Sequence, residues 1–156
     1  RNPAPEPAMT PAFTVTLDAE TDVVLVRDFP HSPARVWRAL TEPALIKQWL
    51  GPDMLRCEMD ARPGGAFLFE WPAFTFSGPI LAADPPHHMT HREHFNGDPT
   101  TGPTVITDLA QTGEGTRLTV TMRYASAEAR AKAVEEGFTD GLGEVYGRME
   151  AVLGEG

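Results

Sequence analysis

Cysteine is nearly absent: Cys57 is the only one in 156 residues. No intrachain disulfide can form, and a reduced, cytoplasmic setting is the natural expectation. Basic residues are scarce as well, 13 Lys and Arg against 22 Asp and Glu, for a formal net charge of -9. That balance argues against nucleic acid, whose phosphates demand clustered cations, and against anionic membrane surfaces. No apolar run approaches the roughly 20 residues that span a bilayer, and no apolar h-region opens the sequence. No phosphate-loop glycine spacing and no serine nucleophile elbow appears, so no cofactor is expected. What remains is a chain of one-domain length, 41% apolar and with eight phenylalanines, enough for one core.

Residues 1–12 carry Pro3, Pro5, Pro7 and Pro11 among small residues and read as an extended tail. Residues 13–156 read as a single domain. Val23 to Phe29 makes a first strand. Ser32 can cap a helix that has Pro33 at its first position, where a missing N–H costs nothing. Glu42-Pro43 restarts the chain into a second short helix, because proline disfavours helical geometry in the residue before it. Five or six strands follow. Leu55, Cys57 and Met59 alternate with polar residues. Arg62-Pro63-Gly64-Gly65 turns the chain into Phe67, Phe69 and Trp71, and Pro72-Ala73 leads on to Phe74, Phe76 and Ile80. Asp84-Pro85-Pro86 ends the next strand, and Met89 to Phe95 forms another. Val105 to Ala110 and Leu118 to Tyr124 form a hairpin with Leu118, Val120, Met122 and Tyr124 facing in. Ser126 opens helical sequence that Gly137 breaks or kinks, and Phe138, Leu142, Val145, Tyr146, Met149, Val152 and Leu153 continue as a helical stripe. Strands with segregated helices argue an α+β fold, a curved antiparallel sheet round one long C-terminal helix.

The stretch from Arg27 to Pro52, strand, turn and two helices split by Thr41-Glu42-Pro43 and closed by Trp49-Leu50-Gly51-Pro52, resembles the opening of START-like (SRPBCC) domains. Within them it most resembles the branch named for the activator of a heat-shock chaperone's ATPase. Gly64-Gly65 with Phe67 and Phe69, Asp84-Pro85-Pro86, Glu93 with Phe95, Gly115-Thr116-Arg117-Leu118-Thr119 and Gly137-Phe138 extend the likeness over most of residues 21–153. The resemblance implies the helix-grip fold, built around one cavity. It does not fix chemistry, since the superfamily includes lipid carriers, hormone receptors, polyketide cyclases and co-chaperones.

Four histidines, His87, His88, His91 and His94, suggest a metal site at first sight. Metal ligands must converge within about 2.0–2.3 Å of one ion. On a strand rising about 3.3 Å per residue, His88 and His94 lie roughly 20 Å apart, and His91 and His94 point to opposite faces. No metal is expected there. His91 shares parity with Met89, Glu93 and Phe95, which points it to the concave face. With Glu93 it makes either a structural pair, Glu93 being bonded to Arg27 or Tyr146, or a pair that orients a ligand's polar end. Cys57 lacks an activating partner and reads as core. Gly137, Gly141, Gly143 and Gly147 serve either close packing of the last helix or room for a ligand.

The expected ligand-binding residues are Trp49, Phe67, Phe69, Phe76, Met89, His91, Glu93, Phe138, Leu142 and Tyr146. The expected activity is non-covalent binding of a small apolar molecule. The alternatives are a protein-binding module for a chaperone or other partner, and a cyclase-like enzyme using His91 with Glu93 or Tyr146 as acid and base. A homodimer is left open.

Overall fold

The computed structural model describes residues 13–137 and 139–155. The chain runs β1 (Phe13–Asp18), β2 (Asp22–Phe29), α1 (Pro33–Thr41), α2 (Pro43–Leu50), β3 (Arg56–Met59), β4 (Ala66–Glu70), β5 (Thr75–Asp84), β6 (His88–Arg92), β7 (His94–Phe95), β8 (Thr104–Thr112), β9 (Gly115–Arg123), α3 (Ala127–Glu135) and α4 (Leu142–Glu155). The strands make one antiparallel sheet in the order β1-β2-β9-β8-β6-β5-β4-β3, with β7 paired to β5. This is the expected α+β helix-grip arrangement. Residues 1–12 and Phe138 lie outside the described residues. No helix among those described is long and apolar enough to cross a membrane.

The register lays the inward side chains in rows. Val23, Met122, Val105, His91 and Ile80 are successive partners across β2, β9, β8, β6 and β5. A register shift between Ile80 and Ala82 is a β-bulge, which bends the strand and leaves Leu81 exposed. At the far end of the sheet Asp22 opposes Arg123, and the guanidinium donates to both carboxylate oxygens at 3.0 Å. Those hydrogen bonds, with one from Thr21, hold the Asp22 carboxyl below the usual range against the upward push of burial. A lowered folded-state pKa contributes stability that is present above the ordinary carboxylate range and fades as pH falls through the lowered value. Asp22→Asn is therefore expected to lower the Tm at neutral pH, with the deficit shrinking in melts below about pH 4.

The helix boundaries follow local chemistry. Ser32 Oγ accepts from Arg35 N at 3.3 Å and Pro33 opens α1. Glu42, extended at φ -91° and ψ 118°, ends α1 and starts α2 because Pro43 follows it. Ser126 caps α3 through Ala129 N at 3.0 Å. Three expectations change here. Leu55 lies outside β3 and is 57% exposed. The strand expected from Met89 to Phe95 is interrupted at Glu93. Gly137 (φ +87°) does break the helical sequence after Ser126, as expected, but Gly141, expected within the last helix, lies in the turn before α4 at φ +79°.

α4 turns Leu142, Val145, Tyr146, Met149, Val152 and Leu153 towards the core. Gly141 is thus not a helical residue, and neither it nor Gly147 is a close-packing site: a Cβ on either would meet nothing within 4 Å. The two glycines separate in their expected effects. Gly147→Ala should stabilise by about 0.8–1.0 kcal/mol, the propensity difference in a helix. Gly141→Ala should destabilise by about 1–2 kcal/mol, because only glycine takes that left-handed conformation freely. Thermal melts of the two variants check both signs.

Candidate functional site: a cavity between sheet and C-terminal helix

Residues of the sheet and of α4 line a cavity of about 330 Å³, open to solvent. Nine of the ten residues expected at a site line it: Trp49, Phe67, Phe69, Phe76, Met89, His91, Glu93, Leu142 and Tyr146. Phe138 lies outside the described residues. Phe67 and Phe69 line it together with Leu142, Val145 and Tyr146 of α4.

One wall is aromatic. Alternation on β4 puts Phe67 and Phe69 on one face with ring centroids 4.9 Å apart. Trp71, just after β4, meets Phe69 edge-on at 6.4 Å and Phe76 at 6.1 Å. Beyond Phe76 the rings of Phe74 and Phe95 continue the cluster outwards, and Phe95 is 43% exposed. Phe95 was expected on the concave face. It keeps that face, since β7 pairs it with the lining residue Phe76 of β5, but it sits beyond the cavity lining at the outer edge of the aromatic cluster.

The helical wall is braced. Trp49 is buried, and its indole N–H donates to Ala39 O at 2.8 Å. Its own carbonyl accepts from Arg148 Nε at 3.1 Å, tying α2 to α4. Trp49 and Tyr146 rings stack at 6.3 Å, and Phe13 covers Tyr146 from β1 at 6.0 Å. Burial, and secondly the charge of Glu93, push the Tyr146 phenol well above the ordinary tyrosine range. The same two causes raise Tyr124 to about 12. Tyr146 therefore keeps its proton.

His91 and Glu93 supply the polar end. His91 sits on β6 between Ile80 and Val105, its ring edge-on to Phe67 at 4.9 Å. Its Nε2 lies 3.8 Å from Glu93 Oε1, an ion-pair distance rather than a hydrogen bond, and its Nδ1 is buried without a hydrogen-bond partner. Glu93 is placed by its backbone. Its N–H donates to Pro103 O at 3.1 Å, and a Cβ on Gly102 (φ +75°) would overlap the Glu93 carbonyl oxygen, so only glycine allows that approach. Arg92 points the other way and stitches the same loop, donating to Thr101 O at 3.0 Å and Gly102 O at 3.2 Å.

Arg27, a candidate partner for Glu93, goes elsewhere. Its guanidinium is 2.8 Å from Glu150 on α4 and lies over the Phe29 ring at 5.2 Å. The remaining histidines do not converge. His88 Nδ1 is 2.7 Å from Asp108 Oδ1, and its Nε2 is 2.9 Å from Thr90 Oγ1. Among the described residues no three His, Cys, Asp or Glu side chains form a group that could hold a metal. Cys57 is half-buried, and burial pushes its thiol up, away from the thiolate.

The lining also contains residues not expected to bind the ligand. Met59, Leu40, Thr107 and Val145 join it, and Val120 and Met122 form part of the sheet wall. Val120 and Met122 were legible as inward-facing from alternation on β9. Helical spacing puts Leu40 on the buried face of α1 with Val36 and Trp37, but its exposure to the hollow depends on how α1 sits on the sheet.

The family model for activator of Hsp90 ATPase homolog 1-like proteins matches residues 30–154. A crystal structure of a Rhodobacter sphaeroides protein is similar with a TM-score of 0.83 at 25% identity, covering 92% of this chain and 99% of that one. A Nitrosomonas europaea protein gives a TM-score of 0.75 at 29% identity, covering 90% and 98%. A Mycobacterium smegmatis protein, 23% identical with a TM-score of 0.77 over 91% and 97% of the chains, shares the fold. No curated protein matches the chain. With the family model spanning most of its length and these structures repeating its helix-grip fold, the chain belongs to the START-like family of activator of Hsp90 ATPase homolog 1-like proteins.

Proposed function

We propose that the protein binds a small, mostly apolar molecule non-covalently in the cavity between the sheet and α4. The observation that carries this is the hollow itself. Its volume of about 330 Å³ falls at the lower end of ligand-site volumes, and its lining is apolar and aromatic except for a few polar groups at one end. At about 24 cal/mol per Å³, leaving such a volume dry and empty would forgo up to about 8 kcal/mol, as much as a whole domain's net stability. The opening to solvent reduces that figure, but filling the space with apolar matter remains favourable.

The test is titration with the neutral fluorophore N-phenylnaphthylamine, together with native mass spectrometry of the purified protein. The expected result is one-to-one uptake and a Tm that rises with probe concentration. Absence of both would remove the reading.

The second reading, a module that docks a chaperone or other protein, draws on the exposed Phe95 ring stacked on Phe74 at 6.2 Å. It would be favoured if the probe is not taken up and Phe95→Ser lowers affinity for a protein partner.

A further inference from the structure

We infer, resting on the cavity-binding reading, that the site selects by charge: it prefers apolar molecules with a protonated amine, accepts neutral hydroxyl heads less well, and disfavours carboxylates such as fatty acids. Among the described residues, the polar end of the cavity holds one carboxylate and no Lys or Arg. Glu93 lines the hollow with its side chain 22% exposed, and no Lys or Arg is among the described residues lining it. Arg27, buried on β2, is already occupied by the Glu150 carboxylate at 2.8 Å.

The basic group facing Glu93 is the imidazole of His91, 3.8 Å away. While the carboxyl is ionised, the pair carries charge zero with a protonated imidazole and minus one with a neutral one. In neither state does it present net positive charge to a ligand.

A carboxylate beside an apolar hollow is poorly solvated. A protonated amine entering the cavity brings the missing counter-charge and N–H donors. A second carboxylate brings repulsion and a second desolvation cost. The walls act in the same direction. Trp49, Phe67, Phe69, Trp71 and Phe76 present aromatic rings to the hollow, and ring faces attract cations. Burial first, and the Glu93 charge second, raise the phenols of Tyr146 and Tyr124. The net charge of -9 adds attraction for cations at longer range.

The test displaces bound N-phenylnaphthylamine with decylamine, decanol and decanoate. The three share one chain and are used below their micelle concentrations at physiological ionic strength. Decylamine is expected to displace the probe at about tenfold lower concentration than decanoate, with decanol between them. Glu93→Gln should narrow the amine-to-carboxylate ratio to within about twofold. Glu114→Gln, an exposed carboxylate in the β8–β9 turn, should leave the ratio unchanged, which separates the site from general attraction to an acidic surface. Decanoate equal to or better than decylamine on the wild-type protein would overturn the inference even if Glu93→Gln failed to fold. So would a preference that survives Glu93→Gln. In both cases the bound probe would leave the cavity reading standing. Failure to take up the probe or any of the three chains would remove that reading and this inference with it.

Discussion

Val120→Phe is expected to abolish uptake of a neutral apolar probe while leaving the protein folded. Val120 is buried on β9, in register with Leu25 of β2 and Thr107 of β8, and its side chain forms part of the sheet wall of the cavity. In a filled core the added volume would cost about 1–3 kcal/mol through overpacking. Here the ring has free space ahead of it and buries apolar surface by entering it. The Tm should therefore stay level or rise. Probe affinity should fall by about a hundredfold or more, equivalent to about 2.7 kcal/mol of binding free energy. A fluorescence titration paired with a thermal melt reads both. A Tm lowered as overpacking predicts, with binding intact, would mean that the space is not there.

The second large effect concerns what holds the hollow open. Met149 of α4 is 0% exposed, is absent from the cavity lining and belongs to the packed core with Leu153 and Val36. Met149→Ala should cost about 2–5 kcal/mol, because it removes buried atoms and leaves a new void. Phe76→Ala removes a larger side chain yet should cost less than the usual about 3–5 kcal/mol for a buried phenylalanine, since its ring already borders an opening and is only half-buried. Denaturant unfolding of the two variants should rank Met149→Ala as the more destabilised. The reverse order would indicate that the aromatic wall is ordinary filled core.

Much of this was readable from the residues. Alternation on β4 and β9 located the inner face, Ser32-Pro33 and Glu42-Pro43 fixed where α1 and α2 begin, and Asp84-Pro85-Pro86 marked the end of β5. The parity of Met89 and His91 placed both in the cavity. Parity put Phe95 on the face where its pairing with Phe76 keeps it, but period-two reasoning cannot see a change of partner, so it gave no sign that the chain leaves β6 at Glu93 and carries Phe95 beyond the lining. The glycines misled for a related reason. Spacing put Gly141 inside a helix, whereas its positive φ makes it the last residue of a turn. Arg27 pointed correctly into the interior, but which carboxylate it meets depends on the distance between β2 and the last turns of α4. That is tertiary geometry, and Glu150 supplies it.

The most direct test is methyl NMR of the protein labelled at methionine. Met59, Met89 and Met122 line the cavity, whereas Met54 and Met149 are buried outside its lining. On titration with N-phenylnaphthylamine, the methyl resonances of Met59, Met89 and Met122 should shift together through aromatic ring currents and saturate at one equivalent. Those of Met54 and Met149 should stay close to their starting positions. Saturable binding that moves Met54 instead, or that leaves Met59, Met89 and Met122 unmoved, would contradict the assignment of this cavity as the binding site.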